Sequence, residues 1–125
     1  MSKTIKNDLS EYQHQVKIFE WADMMSVQKP ELKLLNASLM GVHLSFKILN
    51  KYRKAGVKKG YPDIFLPVPK GIFHGLFIEL KKVGGPAPTK EQAEWLSELV
   101  GWGYDCYCCK GSQAAISTIE SYLNG

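Results

Sequence analysis

Residues 75–81 read Gly-Leu-Phe-Ile-Glu-Leu-Lys, an apolar strand whose far end carries two opposite charges. Side chains alternate across a strand, so Leu76, Ile78 and Leu80 share one face and Phe77, Glu79 and Lys81 the other. The first face needs helices packed on it. The second sets a carboxylate and an ammonium side by side. Ile64, Phe65 and Leu66 form another strand between Pro62 and Pro67, and the turn residues Pro69-Lys70-Gly71 join the two as a hairpin. Asp63 begins that neighbouring strand, so its carboxylate falls at the same end of the sheet as Glu79.

The other elements follow from periodicity and caps. Ser10-Glu11-Tyr12-Gln13 is a capping box, and the apolar spacing after it predicts a helix over 11–26. The short apolar run 32–37 suits a buried strand, although periodicity alone leaves a helix open there. After Gly41, the spacing of Leu44, Ile48, Leu49 and Tyr52 predicts an amphipathic helix ending before Gly56, with Lys47, Lys51 and Lys54 on its outer face. Thr89-Lys90-Glu91-Gln92 is a second capping box and starts a third helix. Residues 104–109 form a strand, and 112–123 a closing helix with Ala115, Ile116, Ile119 and Leu123 inward. The order helix, strand, helix, strand, strand, helix, strand, helix predicts an α/β fold, a mixed central sheet flanked by helices. At 125 residues one domain suffices, with 1–9 as a flexible N-terminal segment.

The two carboxylates and the lysine define a chemistry. Mg²⁺ takes hard oxygen ligands and keeps several waters, so two carboxylates with a backbone carbonyl make a partial cage. A lysine beside them can position or deprotonate an attacking water and offset charge on a phosphate. Together they match phosphodiester hydrolysis. Charge points the same way. Between residues 32 and 78 eight Lys or Arg accompany a single acid, Asp63, and six of the bases (Lys47, Lys51, Arg53, Lys54, Lys58 and Lys59) fall within thirteen residues. Such a field attracts polyanions, although a solvated helix face would look alike.

Pro62-Asp63, fifteen intervening residues, then Glu79-Leu80-Lys81 resembles the signature of the PD-(D/E)XK nuclease superfamily. From Glu11 to Leu123 the chain is similar to one branch, the virus-type replication-repair nuclease (VRR-NUC) domain. The matching stretches are Glu11-Tyr12-Gln13-His14-Gln15, the run from Gly56 to Asp63, the run from His74 to Lys81, and Thr89-Lys90-Glu91-Gln92 with Trp95. The compact length looks like the stand-alone form of bacteriophages and bacteria. The resemblance implies a restriction-endonuclease-like core and an Mg²⁺- or Mn²⁺-dependent DNA endonuclease selective for branched substrates such as four-way junctions or flaps. It implies that Asp63, Glu79 and the Leu80 carbonyl bind the metal, that Lys81 orients the water, and that Glu11 reaches the metal or its waters. It places Gln15 and Gln92 close by. The basic residues, with Lys82, would grip the DNA backbone, and symmetric incision of a junction would call for a homodimer.

Each residue has a plainer role open to it. Glu11 in a first helical turn suits the macrodipole, Gln92 completes a capping box, Asp63 can be a turn residue, and Lys81 with Lys82 can blunt a strand edge. A binding module that keeps the nuclease fold without turnover is the alternative to an enzyme. Cys106 and Cys108 point to one face of their strand and Cys109 to the other, which suits buried free thiols better than zinc. His14, His43 and His74 are scattered, with His74 the one placed to contact DNA. No run of the roughly 20 apolar residues that spans a bilayer is present, and Met1 to Leu9 lacks an apolar signal-peptide core, so a cytoplasmic, non-membrane protein is expected.

Overall fold

A computed structural model describes residues 8–39 and 44–125. Most of the expected 1–9 tail, the breaker Gly41 and His43 lie outside the described residues. Besides a short 3-10 helix, the described residues form in order α1 (Glu11–Met25), β1 (Asn36–Ala37), α2 (Phe46–Lys54), β2 (Ile64–Leu66), β3 (Leu76–Lys81), α3 (Lys90–Gly101), β4 (Asp105–Lys110) and α4 (Ser112–Asn124). The sheet has the order β1-β2-β3-β4, antiparallel across the first three strands and parallel between β3 and β4. This is the mixed α/β sheet that the sequence predicts. Helix α3 forms the crossover that a parallel pair requires.

Strand β3 is buried along its whole length and divides the two sides of the molecule. Leu76, Ile78 and Leu80 join Ile18 and Ala22 of α1 and Ala115 and Ile119 of α4 in the core. Cys109 lies in that core, whereas Cys108 stands beside Glu79 in the parallel ladder, as strand alternation requires. On the opposite face Phe77 stacks on Phe65 at 4.2 Å and meets Tyr61 and Tyr104 edge-on. Both predicted capping boxes are present. Ser10 Oγ accepts from the Gln13 N–H at 3.1 Å and Gln13 Oε1 from the Ser10 N–H at 2.8 Å, and Thr89 and Gln92 repeat the exchange.

Two expectations are corrected. Residues 32–37 are not one strand: a 3-10 helix spans Pro30–Leu34, and only Asn36–Ala37 pair with β2. Pro30 supplies the fixed φ of a helical first turn, and the three-residue period buries Leu32 and Leu35 together. Helix α2 does not lay an apolar stripe on the core either. It buries no side chain, and Ile48 and Tyr52 are 43% and 39% exposed. Its Ser45 cap and its last turn hold it locally, and the core it was expected to cover is already closed by α1 and α4.

Candidate active site

Extending the β2–β3 register past Ile64↔Ile78 brings Asp63 opposite Glu79 and Pro62 opposite Leu80. Directly opposed residues hold their Cβ atoms roughly 5 Å apart on one face, so the two carboxyls converge as the alternation predicts. Asp63 is 5% and Glu79 2% exposed. The Leu80 N–H donates to Asp63 Oδ2 at 2.7 Å. Within a strand the N–H and C=O of one residue point to the same edge, so the Leu80 carbonyl faces the Asp63 side too. Pro62, its ladder partner by register, has no N–H to offer it. The Pro-Asp pair thus ends the ladder beside two acids, where the Leu80 carbonyl faces a residue that cannot donate to it.

The segment that delivers Asp63 is fixed from both sides. Ser38, just past β1, donates through its N–H to the Asp63 carbonyl and through Oγ to the Pro62 carbonyl, both at 2.8 Å. Gly60 has φ +83°, and a Cβ there would come within 2.9 Å of Glu91 on α3. Only glycine permits that approach. Trp95 Nε1 donates to the Lys59 carbonyl at 3.1 Å, and the Tyr61 ring packs edge-on against Trp95 at 5.0 Å.

Gln92 connects the acids to the lysine. Its Oε1 accepts from Lys81 Nζ at 2.9 Å and from the Thr89 N–H at 2.8 Å, while its Nε2 donates to Glu79 Oε2 at 2.9 Å. The capping role and the role near the site, alternatives in the sequence, are both filled by one amide. Lys81 Nζ lies 3.8 Å from Glu79 Oε2, and its side chain is only 8% exposed. These contacts aim Lys81 Nζ at the Glu79 carboxyl.

Burial dominates the proton affinities. Desolvation raises Asp63 to about 6 against the donation from Leu80, and desolvation with repulsion from Asp63 raises Glu79 to about 9. Each carboxyl acts on the other, so the pair favours a proton on one of them beside a charge on the other. Among the described residues, none offers a hydrogen bond to the buried Glu79 Oε1. A proton or a cation is what such a pair lacks, and a divalent ion fits the donor set of two carboxylates and a carbonyl. Among the described residues no three His, Cys, Asp or Glu side chains cluster tightly enough to hold a metal alone, so waters or phosphate oxygens would complete the shell.

Glu11 opens α1 close enough for its charge to be felt by both Asp63 and Glu79. Gln15 lies half-buried one turn further along the helix. His14, between them in sequence and not singled out there, positions this helix. It is 4% exposed, and its Nδ1 accepts from the Ser112 N–H at 3.0 Å and faces Ser112 Oγ at 3.1 Å. Because Nδ1 accepts from a backbone N–H, the ring proton lies on Nε2, and burial lowers the pKa in the same sense. Its signal in the sequence was its position next to Glu11 on the buried side of α1.

The basic residues are at the surface. Lys47, Lys51, Lys54, Lys58, Lys59 and Lys82 are exposed and Arg53 is half-buried. Lys47, Lys51, Arg53 and Lys54 line a concavity of about 600 Å³, and Lys59 pairs with Glu91 at 3.7 Å. His74 is placed elsewhere, packed on Tyr104 and Gly103. It precedes Glu79 by five residues, roughly 16 Å of strand, which takes it away from the carboxylates.

Comparison with known proteins agrees with this architecture. A family model described as the VRR-NUC domain matches residues 3–113. A solved structure described as a VRR_NUC domain protein superposes with a TM-score of 0.77 at 31% sequence identity, covering 93% of this chain and 89% of the other. No curated protein matches the chain.

Proposed function

The chain belongs to the VRR-NUC domain family, and from that premise we propose that it is a divalent-metal-dependent endonuclease that hydrolyses phosphodiester bonds in branched DNA, such as four-way junctions or flaps. The observation that carries the proposal is the assembly of buried Asp63, Glu79 and Lys81 with half-buried Gln92, in which one glutamate oxygen has no partner among the described residues. A module that only binds has no need to bury two facing acids at this cost in desolvation. No helix among the described residues is long and apolar enough to cross a membrane, and the basic surface of α2 and Lys58 suits a nucleic-acid backbone.

Asp63, Glu79 and the Leu80 carbonyl would hold Mg²⁺ or Mn²⁺, which supplies Lewis-acid stabilisation of the phosphate and a more acidic water. Lys81, kept in place by Gln92 Oε1, directs its ammonium at the region where negative charge grows on the phosphate. Gln92 Nε2 fixes the Glu79 carboxylate, leaving Oε1 free to bind. Glu11, whose charge acts on both acids from the start of α1, would hold a water rather than complete a three-acid cage, and Gln15 stands one turn behind it. Recognition falls to phosphate contacts by Lys47, Lys51, Arg53, Lys54, Lys58, Lys59 and Lys82, which read shape rather than sequence. Paired incisions in a junction would be made by a homodimer in the cytoplasm of a bacterial host.

Labelled linear duplex, single strand, flap and four-way junction, incubated side by side with Mg²⁺, Mn²⁺ or EDTA, test this reading. Metal-dependent cuts concentrated on the branched substrates are expected. Binding without cleavage in any metal would instead establish the silent-module alternative.

A further inference from the structure

A second concave feature includes Tyr61, which packs on Phe77, the strand residue two before Glu79 on the same face. It has a volume of about 240 Å³ and is walled by Tyr61 and Trp95, with Leu39 and Val57 as aliphatic sides and Lys58 at its margin. Pockets for drug-sized ligands begin at roughly 300 Å³, so this one suits a single flat ring system. Tyr61 and Trp95 are both half-buried. Their packing is rigid: Trp95 is fixed by its bond to the Lys59 carbonyl, and Tyr61 is held edge-on between Trp95 at 5.0 Å and Phe77 at 5.7 Å. Rigid aromatic walls that stay partly open are built to receive something.

The chain places this pocket in register with the active site. Tyr61 precedes Asp63 by two residues, and Trp95 follows Gln92 by one turn of α3, roughly 5 Å along the helix axis. Lys58 brings positive charge to the margin, with the basic end of α2 just before it in sequence. An apolar aromatic slot with a cation in its lining, two residues along the chain from Asp63, suits a base on the slot and its phosphate towards the charge.

The geometry points to a site for one unpaired nucleobase of the DNA strand whose phosphate lies at Asp63 and Glu79. The inference rests on the nuclease reading and deepens it. A base in a duplex cannot enter, because its ring is stacked and paired. A base at a junction, flap or frayed end enters without the energy of unpairing. Selectivity for branched DNA then arises in this domain from the pocket, in addition to the backbone contacts.

Fluorescent 2-aminopurine, placed in turn at each unpaired position of a flap substrate, tests the site in EDTA, where no cleavage occurs. Stacking on Tyr61 and Trp95 quenches its emission at one position, and replacing that nucleotide by an abasic one weakens binding roughly 5- to 150-fold. Val57→Trp, which fills the pocket, should abolish both the quenching and the abasic penalty while leaving binding to plain duplex unchanged. Unchanged emission at every position, equal affinity for the abasic flap, or quenching that survives Val57→Trp would overturn the proposal. The abasic comparison uses the unaltered protein and so does not depend on the variant folding. Cleavage of flaps without quenching removes the pocket alone, whereas failure to bind or cut any DNA removes the nuclease reading.

Discussion

Glu79→Gln should make the metal-free protein more stable, because the site holds an acid where the fold alone would prefer an amide. Glu79 faces Asp63, has one oxygen without a partner among the described residues, and keeps its proton up to about pH 9, against an ordinary glutamate value of 4.5. Between those values the folded chain retains a proton that the unfolded chain releases, so stability falls as pH rises from 4.5 towards 9. At pH 7 the cost depends only on the distance from 4.5, and at about 1.4 kcal/mol per pH unit it is about 3 kcal/mol. An amide at position 79 avoids the cost, can still accept from Gln92 Nε2, and can donate towards Asp63. For a domain of this size the gain corresponds to roughly 10 °C in Tm. Calorimetric unfolding in EDTA at pH 7 and pH 5 reads it. The gap should shrink below about 1 kcal/mol at pH 5, and Mg²⁺ should close it at pH 7 by raising the wild type alone. A variant no more stable than wild type at pH 7, or a gap of equal size at both pH values, would refute the reasoning.

Gln92→Ala removes the bridge between Lys81 and Glu79 together with half of a capping box. It should lower kcat in steady-state cleavage about 10- to 100-fold, as loss of a group orienting metal ligands does, and cost about 1 kcal/mol in denaturant unfolding. His14→Ala should destabilise the fold by about 2–4 kcal/mol, through the cavity and the Ser112 N–H left without its acceptor, with activity falling as the end of α1 that carries Glu11 loosens. Replacing Lys47, Lys51 and Lys54 together by alanine should weaken all DNA substrates alike and reduce the slope of log affinity against log salt by about 1 for each phosphate no longer neutralised. An unchanged slope would show that α2 faces away from bound DNA.

What the sequence made legible was whatever local rules determine. Period-two alternation separated Leu76, Ile78 and Leu80 from Glu79 and Lys81, and the capping boxes at Ser10 and Thr89 located the starts of α1 and α3. The convergence of Asp63 with Glu79 followed from a hairpin whose register the alternation already implied. Long-range geometry was not legible. Whether Gln92 caps its helix or serves the site was undecidable locally, because the answer depends on α3 lying over the far end of β3. The stripe on α2 has the right period for burial, but periodicity does not say whether a surface remains to be covered. His14 read as an isolated histidine, since its partner Ser112 is 98 residues away. The run 32–37 read as a strand because the 3-10 turn that Pro30 opens has no signal in apolar spacing over so few residues.

Cleavage of a labelled branched substrate in Mg²⁺ by Lys81→Met and by Asp63→Asn, beside wild type, bears most directly on the site. Each variant should lose activity by about 10²-fold or more, with unfolding still cooperative and DNA affinity in EDTA unchanged. Cutting at the wild-type rate by either variant would contradict the assignment of these side chains to the reaction.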